Sequence, residues 1–443
     1  MIRRPPRSTL SSSSAASDVY KRQPLGIYLL QRVLEKRGMD AVIMESLKLA
    51  MNCKSKDALN EVGFKENPYF VKIVREVDVL GLSCDSFNYG IGRYAIKNAK
   101  EINKDLKVII GGVHGSIFDE YVLKTSGADV VIRGDGENTL PKVLLALDSG
   151  QSMEDIPGIT YFDENDILKR NAEVDRQPVE EIVKNSDIDF SGINMAYYNA
   201  LPIETSRGCP YNCVFCSVYY KRNWRALPKE FIKDRLGSLS RVSKNIIFVD
   251  DAFTIDTERA LDILNFVQDS SIDFKLTFEA RVNNLVKAPI LEAISPQKVA
   301  KIQIGVESGY PEGLERIRKK ITLQQVREAC EKAAKHDISH KILASFIIGF
   351  PWESVKDCLK TYEFASSLNK DYGINSVINW WLPIPSELWR GMRQSSGLNA
   401  SMYDDPEWVM SDDVFTKMHP NITLRVKAKL NFLIMKTIDK LLV

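Results

Sequence analysis

Three of the seven cysteines in this chain, Cys209, Cys213 and Cys216, fall within eight residues, in the stretch Thr205-Ser206-Arg207-Gly208-Cys209-Pro210-Tyr211-Asn212-Cys213-Val214-Phe215-Cys216-Ser217. Their C-x3-C-x2-C spacing supplies three thiolates, one short of the four that close a structural zinc or an ordinary iron–sulfur site. A metal centre held here keeps an open coordination position, which is where a reactant can bind. Two plainer readings stand beside it: a zinc site completed by a distant ligand, or three buried cysteines without chemical consequence. Of the others, Cys53, Cys84, Cys330 and Cys358 have no metal-like spacing. Cys330 and Cys358 fall in helical patterns and read as core, while Cys84 stands at a strand end.

Such a loop needs a strand before it and a helix after it, the arrangement in which barrel enzymes place their active sites. Leu201-Pro202-Ile203-Glu204 and Pro228-Lys229-Glu230-Phe231 supply that pair. Beyond them strands recur at Asn245 to Asp250, Lys275 to Glu279, Lys301 to Val306, Lys341 to Ile348 and Ser376 to Leu382, making six with the Leu201 strand. Helical periods near Lys229 to Ser238, Glu258 to Gln268, Leu323 to Lys335 and Ser354 to Leu368 separate most of them, which predicts parallel strands with right-handed crossovers. Polar groups cluster where these strands end: Asp250-Asp251, Glu279-Ala280-Arg281, Gly305-Val306-Glu307-Ser308, and Ile348-Gly349 through Glu353. For Asp250, Asp251 and Glu353, helix capping and ligand contact are both open.

Ahead of this region lies a second alternating segment, from about Pro24 to Gly150. Val77 to Cys84, Lys107 to His114 and Asp129 to Glu137 each read as a buried strand running into small residues, with helical periods between them. That pattern predicts a doubly wound, Rossmann-like parallel sheet whose ligand lies over the carboxyl ends of its strands. Gly111, Gly112 and Gly134 sit there, where glycine lets a flat ligand approach the backbone. Ile156 to Lys169 reads as a hairpin, and 151–200 as hairpin and linker.

With Phe215 just before the last cysteine, the cysteine stretch resembles the signature of radical S-adenosylmethionine (SAM) enzymes. In that family three thiolates hold a [4Fe–4S] cluster whose fourth iron binds the amino and carboxylate groups of SAM, and an electron from the cluster cleaves SAM to methionine and a 5′-deoxyadenosyl radical. The resemblance implies Cys209, Cys213 and Cys216 as cluster ligands. It implies SAM contacts from Phe215, Asp250 and Glu279, from Arg281 and Glu307 at the methionine or ribose part, and from the Ile348-Gly349 backbone at adenine. It also implies an open, partial TIM-like (β/α)6 barrel over 201–385. The ordered set Leu25-Gly26, Ser83, Gly111-Gly112-Val113-His114 and Gly134 to Glu137 resembles the cobalamin-binding domain found ahead of many radical SAM domains, and implies those residues as cobalamin contacts. The usual lower-ligand motif for cobalt is D-x-H-x-x-G; Gly112 stands where its Asp belongs, so His114 reads as structural or pocket-lining.

The cofactors so implied are a [4Fe–4S] cluster, SAM and cobalamin. By resemblance one SAM methylates reduced cobalamin, a second yields the radical that abstracts hydrogen from an unactivated carbon, and the substrate radical takes the methyl group from methylcobalamin. Related enzymes use the same parts for ring formation or rearrangement; a cobalamin or redox sensor is the non-enzymatic rival. A methylthio-transferring relative would want further N-terminal cysteines, which Cys53 and Cys84 do not supply. The expected partners are a small-molecule substrate and an electron donor such as flavodoxin or ferredoxin.

Composition sets the outer bounds. A net charge of +2 in 443 residues, with 44% hydrophobic and 27% charged residues, is ordinary for a globular protein and gives no reason to expect a nucleic-acid partner. An odd cysteine count with three in one cluster fits a reducing cytoplasm. Residues 1–23, Arg-rich and then Ser-rich, resemble a translated sequencing adapter, so the first strand of the sheet is expected to be missing. Trp380, Trp381, Trp389 and Trp408 either line a hydrophobic substrate pocket or pack on the barrel. The expected helical extension at 386–443 ends in a basic amphipathic stretch, Thr423 to Val443, which either covers the barrel or lies on a membrane surface.

Overall fold

The computed structural model of the protein describes residues 8–11, 25–44, 63–190, 198–219 and 223–439; Cys53 lies outside them. The chain forms two compact units. One holds Pro24–Asp189 with the N-terminal strand and the returning segment Leu398–Val409; the other holds Phe190–Gly397 and Met410–Val443.

In the first unit the strands are β1 (Ser8–Ser11), β2 (Ala41–Ile43), β3 (Val79–Ser83), β4 (Lys107–Gly111), β5 (Val130–Ile132), β6 (Ile159–Phe162) and β7 (Leu168–Arg170), in the order β2-β1-β3-β4-β5-β6-β7. The first five are parallel. Buried runs such as Val130-Val131-Ile132 suit strands covered on both faces. Helices such as Leu25–Glu35, which buries Ile27, Leu29, Val33 and Leu34 on one stripe, close the core. The order reverses between β1 and β3, the switch point at which doubly wound sheets open a ligand crevice.

Three features add to the expected outline. The place of the first strand is taken by Ser8–Ser11, which pairs in parallel with both β2 and β3. A ladder needs backbone N–H and C=O groups, which any sequence without proline supplies, so the lack of an apolar pattern does not prevent pairing. The expected hairpin forms as β6 and β7, and it extends the same sheet because β6 pairs antiparallel with β5. Arg133, fully buried, fixes it through Glu173 and the Ile159 and Asn171 carbonyls. Finally, the C-terminal region is not a single extension, since Leu398–Val409 belongs to the first unit. Trp408 Nε1 donates to the Ser86 carbonyl at 2.9 Å, and Asp404 takes Tyr121 Oη–H at 2.7 Å and pairs with Arg93 at 2.8 Å. Gly90 is required beneath this segment, because a Cβ there would stand 2.7 Å from Pro406 N.

In the second unit β8 (Leu201–Ile203) leads into a short hairpin of β9 (Ser206–Arg207) and β10 (Arg225–Ala226). Then follow β11 (Asn245–Phe248), β12 (Lys275–Ala280), β13 (Val299–Glu307), β14 (Ile342–Ile348) and β15 (Asn375–Trp380). Six of these form one parallel sheet in the order β15-β14-β13-β12-β11-β8, with helices Lys229–Leu239, Thr257–Asp269, Leu323–Lys335 and Val355–Tyr372 as crossovers. No pairing joins β8 to β15 among the described residues, so the barrel is open.

Candidate active site at the cysteine loop

The cysteines follow β9 on a loop turned by Gly208, whose φ of 84° lies in the left-handed region. Cys213 is buried, and Cys209 and Cys216 are half-buried. The loop is tied down along its length. Val214 N donates to the Ile317 carbonyl at 3.2 Å, Leu388 N donates to the Val214 carbonyl at 2.9 Å, and Val218 N donates to Cys216 Sγ at 3.4 Å. Burial pushes the Cys209 thiol up, opposed by the Tyr211 N–H and the Arg281 guanidinium. Among the described residues no three His, Cys, Asp or Glu side chains converge as ligands of a single ion. A four-iron cluster asks for something different, one sulfur at each of three irons, and an N–H aimed at a cysteine sulfur is the kind of contact that tunes such a centre. The residues present fit that group.

Around the loop stand the ends of the neighbouring strands. Arg281 lies 3.5 Å over the Tyr211 ring and donates to the Lys319 carbonyl, so it braces the loop from β12. Glu307, the last residue of β13, has φ of 73° and accepts from Lys319 Nζ at 2.9 Å in a buried ion pair. Arg318 and Lys320, on either side of Lys319, are also left-handed at φ 56° each. Three strained residues around one buried pair mark a place the surrounding structure over-determines, as functional sites commonly are. Lys319 was not visible in the sequence, where it is one cation in the run Arg316 to Lys320. Phe215 stands 6.0 Å from both the Phe350 ring and Lys319 Nζ.

Glu279 sits within weak reach of Gln303, at 3.4 Å. Asp251 reaches solvent, but crowding of its carboxyl by protein, with Glu279 and Glu204 near by, pushes it up to about 6. Glu353 resolves toward capping of a loop: its Oε2 accepts the Gly349 and Phe350 N–H groups at 2.6 and 3.0 Å, and its Oε1 accepts Tyr310 Oη–H at 2.9 Å. The Ile348 carbonyl accepts from Trp381 N at 2.7 Å, so these Ile348-Gly349 groups are already engaged within the protein. Gly349, at φ 77°, leaves no room for a Cβ against the Trp380 ring at 2.5 Å. Asp250 accepts from Thr205 N at 2.7 Å and Thr205 Oγ1 at 2.6 Å, and from Ser206 Oγ. Burial, only partly offset by those donors, pushes it up to about 6. Cys330 and Cys358 are fully buried and raised to about 12, as core thiols are.

In the first unit Ser83 and Gly111 end their strands and Gly134, with φ of 76°, stands just beyond β5, while Leu25 and Gly26 open the helix Leu25–Glu35, with open space beside Gly26. Glycines at the strand ends, together with the open space beside Gly26, fit a flat ligand that approaches the backbone closely. Glu137 is buried. Gly112 has a reason of its own: a Cβ there would stand 2.5 Å from the Cys84 carbonyl, so the glycine serves backbone packing and needs no ligand to explain it. His114 is fully buried, with Nδ1 2.9 Å from Ser86 Oγ and its ring stacked on Tyr89 at 4.1 Å. Burial pushes its pKa down to about 3.

A parallel six-strand sheet carrying three thiolates on the loop after its first strand, and a separate doubly wound sheet with an open switch point, define a cluster-and-cofactor enzyme. Family models bear this out: the radical SAM superfamily matches residues 203–365, and the B12 binding domain matches 15–144. The chain is 32% identical over 321 residues to an uncharacterized methyltransferase of Pyrococcus horikoshii, covering 68% of this chain and 67% of that protein. It is 24% identical over 303 residues to an anaerobic magnesium-protoporphyrin IX monomethyl ester cyclase of Rubrivivax gelatinosus, covering 65% of this chain and 53% of that one. A solved structure of TsrM, a radical SAM methyltransferase of Kitasatospora setae, superposes with a TM-score of 0.67 at 15% identity, over 88% of this chain and 76% of that one, which speaks to the fold alone. The chain belongs to the radical SAM superfamily, in the branch that carries a B12-binding domain. Its cofactors are the [4Fe–4S] cluster, SAM and cobalamin.

Proposed function

We propose that this chain is a cobalamin-dependent radical SAM C-methyltransferase acting on a small molecule, with an electron donor such as flavodoxin or ferredoxin as reductant in a reducing cytoplasm. Its cofactors supply reductive cleavage of SAM and a methyl group, carried by cobalamin, for an unactivated carbon. The observation that carries the reading is the braced C-x3-C-x2-C loop at the end of the first strand of the open barrel. Cys209, Cys213 and Cys216 hold the cluster. Arg281 and Tyr211 keep the loop against β12, and the Glu307–Lys319 pair presents buried opposite charges beside Phe215, suited to the charged methionine end of SAM. Glu353 fixes the turn after β14 by holding two of its amides.

Methyl transfer is favoured over cyclisation because the relative at 32% identity bears a methyltransferase name, and the cyclase is more distant. The products separate the two. Reconstituted anaerobically with iron, sulfide, SAM, cobalamin and a reductant, a methylating enzyme forms S-adenosylhomocysteine and 5′-deoxyadenosine together with a methylated product. A cyclase forms 5′-deoxyadenosine without S-adenosylhomocysteine. Replacing Cys209, Cys213 or Cys216 by Ala should remove the cluster and all 5′-deoxyadenosine; retention of either by the triple variant would refute the assignment. Cys330→Ala should leave iron per chain unchanged.

No helix among the described residues is long and apolar enough to cross a membrane. The helix Leu424–Asp439 lies along β15, where Trp380 Nε1 donates to Asn431 at 2.7 Å, which supports the barrel-covering reading of this segment.

A further inference from the structure

We propose that Asp250, with Arg259 opposite it, is a positioning pair for the cysteine loop and not a SAM contact; the proposal rests on the radical SAM reading of that loop. Asp250 is 4% exposed, and its donors come from two consecutive residues that are themselves buried, Thr205 and Ser206. A carboxylate offers about four lone-pair sites, and three are filled by the protein. Nor does Asp250 cap a helix, because the following helix Thr257–Asp269 is capped by Asp256, which accepts from Arg259 N at 3.0 Å.

The carbonyl of the same residue is held by a cation. Arg259, 9% exposed, donates through Nη2 to the Thr205 carbonyl at 2.5 Å, and through Nε and Nη2 to the Leu227 carbonyl at 3.2 and 3.1 Å. The backbone N–H of Thr205 therefore meets an anion and its C=O a cation, two charge-assisted bonds on one residue. Leu227 N closes the arrangement on the Thr205 carbonyl at 2.9 Å. From Thr205 the chain passes through the Ser206–Arg207 ladder, paired to Ala226 and Arg225, and through left-handed Gly208 into Cys209. Little rotational freedom remains between the clamp and the first thiolate, so the direction of Cys209 is set by where Asp250 and Arg259 hold Thr205.

The test uses the full chain reconstituted anaerobically, as wild type, Asp250→Asn, Asp250→Ala and Arg259→Met. It reads iron per chain, the electron paramagnetic resonance spectrum of the reduced cluster with and without SAM, and SAM affinity. Asparagine keeps an acceptor for Thr205 N–H and turns an N–H toward the hydroxyl oxygens. Asp250→Asn should therefore keep iron content, and its SAM Kd should stay within about twofold of wild type. Asp250→Ala and Arg259→Met should hold less than half the iron, or show an altered spectrum, while circular dichroism reports a folded chain. If Asp250 instead held the SAM ammonium group, Asp250→Asn would keep its iron and lose about tenfold or more in SAM affinity, and the proposal falls. It also falls if Asp250→Ala matches wild type in iron, spectrum and SAM binding. Should Asp250→Ala fail to fold, Asp250→Asn decides alone, since the two readings give it opposite SAM affinities. A wild-type chain that takes up no cluster would overturn both this proposal and the reading beneath it.

Discussion

At the scale of single residues, the candidate site divides into the cysteines of the loop and the side chains that brace that loop. The cysteines were legible because their whole signal lies in eight adjacent residues. Asp250 and Lys319 were not, because their meaning depends on partners 45 and 12 residues away. His114 shows the reverse case, a residue type that invites a ligand role and is placed for another. Its stacking on Tyr89 and its bond to Ser86 support reading it as packed core, so cob(II)alamin bound to the protein should show no hyperfine splitting from an axial nitrogen; splitting that vanishes in His114→Ala would refute this. Its burial also has a pH signature. An unfolded histidine takes a proton near pH 6.5 and His114 only near about 3, so between these values the unfolded chain binds more protons. Stability of the first unit should then fall as pH drops through that window, by at most about 1.4 kcal/mol per pH unit. His114→Phe keeps a ring for Tyr89 and loses the titration, so its melting temperature should gain on that of wild type from pH 7 to pH 5. Parallel curves for the two proteins would show that His114 titrates normally.

At the scale of elements, alternation of strand and helix was readable in both units because buried strands leave either apolar runs, as at Val130–Ile132, or apolar residues at every second position, as at Ile302, Ile304 and Val306 within Val299–Glu307. What was not readable is a strand whose sequence lacks the apolar pattern. Ser8–Ser11 carries Ser, Thr, Leu and Ser and lies between two strands, where parallel sheets ordinarily place Val and Ile. The turn at Ile317–Lys320 was hidden for a related reason, since left-handed Arg318 and Lys320 obey no local preference and are fixed by contact with the cysteine loop and β13. The strand yields a prediction of its own. Ser8→Val, Thr9→Ile and Ser11→Val together should stabilise the first unit by about 1–2 kcal/mol, read as a rise of roughly 2–8 °C in its melting temperature. Leu10→Pro, which removes a ladder donor, should lower it and weaken cobalamin retention. Identical melting and cobalamin binding in all of these would mean that residues 8–11 contribute nothing to the sheet.

At the scale of the whole molecule, chain order is not unit order. The first unit includes the returning segment Leu398–Val409, and the contact between Trp408 and Ser86 joins residues 322 apart in sequence. No local pattern announces this, because a tryptophan far from the sheet reads first as barrel packing and next as substrate pocket. The segment is anchored by large side chains: Trp408 and Tyr403 are fully buried, and Tyr403 meets His114 edge-on at 5.2 Å and Trp408 edge-on at 5.2 Å. Phe87 stacks on Trp408 at 5.7 Å. Truncating a buried aromatic of this size costs about 3–5 kcal/mol, a large share of the stability of a typical domain. Trp408→Ala should therefore lower cobalamin binding and the melting of the first unit, even though it lies hundreds of residues from the strands that carry the cofactor signature. The second unit does not contain this residue, so iron per chain after reconstitution should stay at the wild-type level. Loss of iron together with cobalamin would show that the two units fold as one cooperative body. Unchanged cobalamin binding would show that the returning segment is an ornament on the sheet and not part of its core.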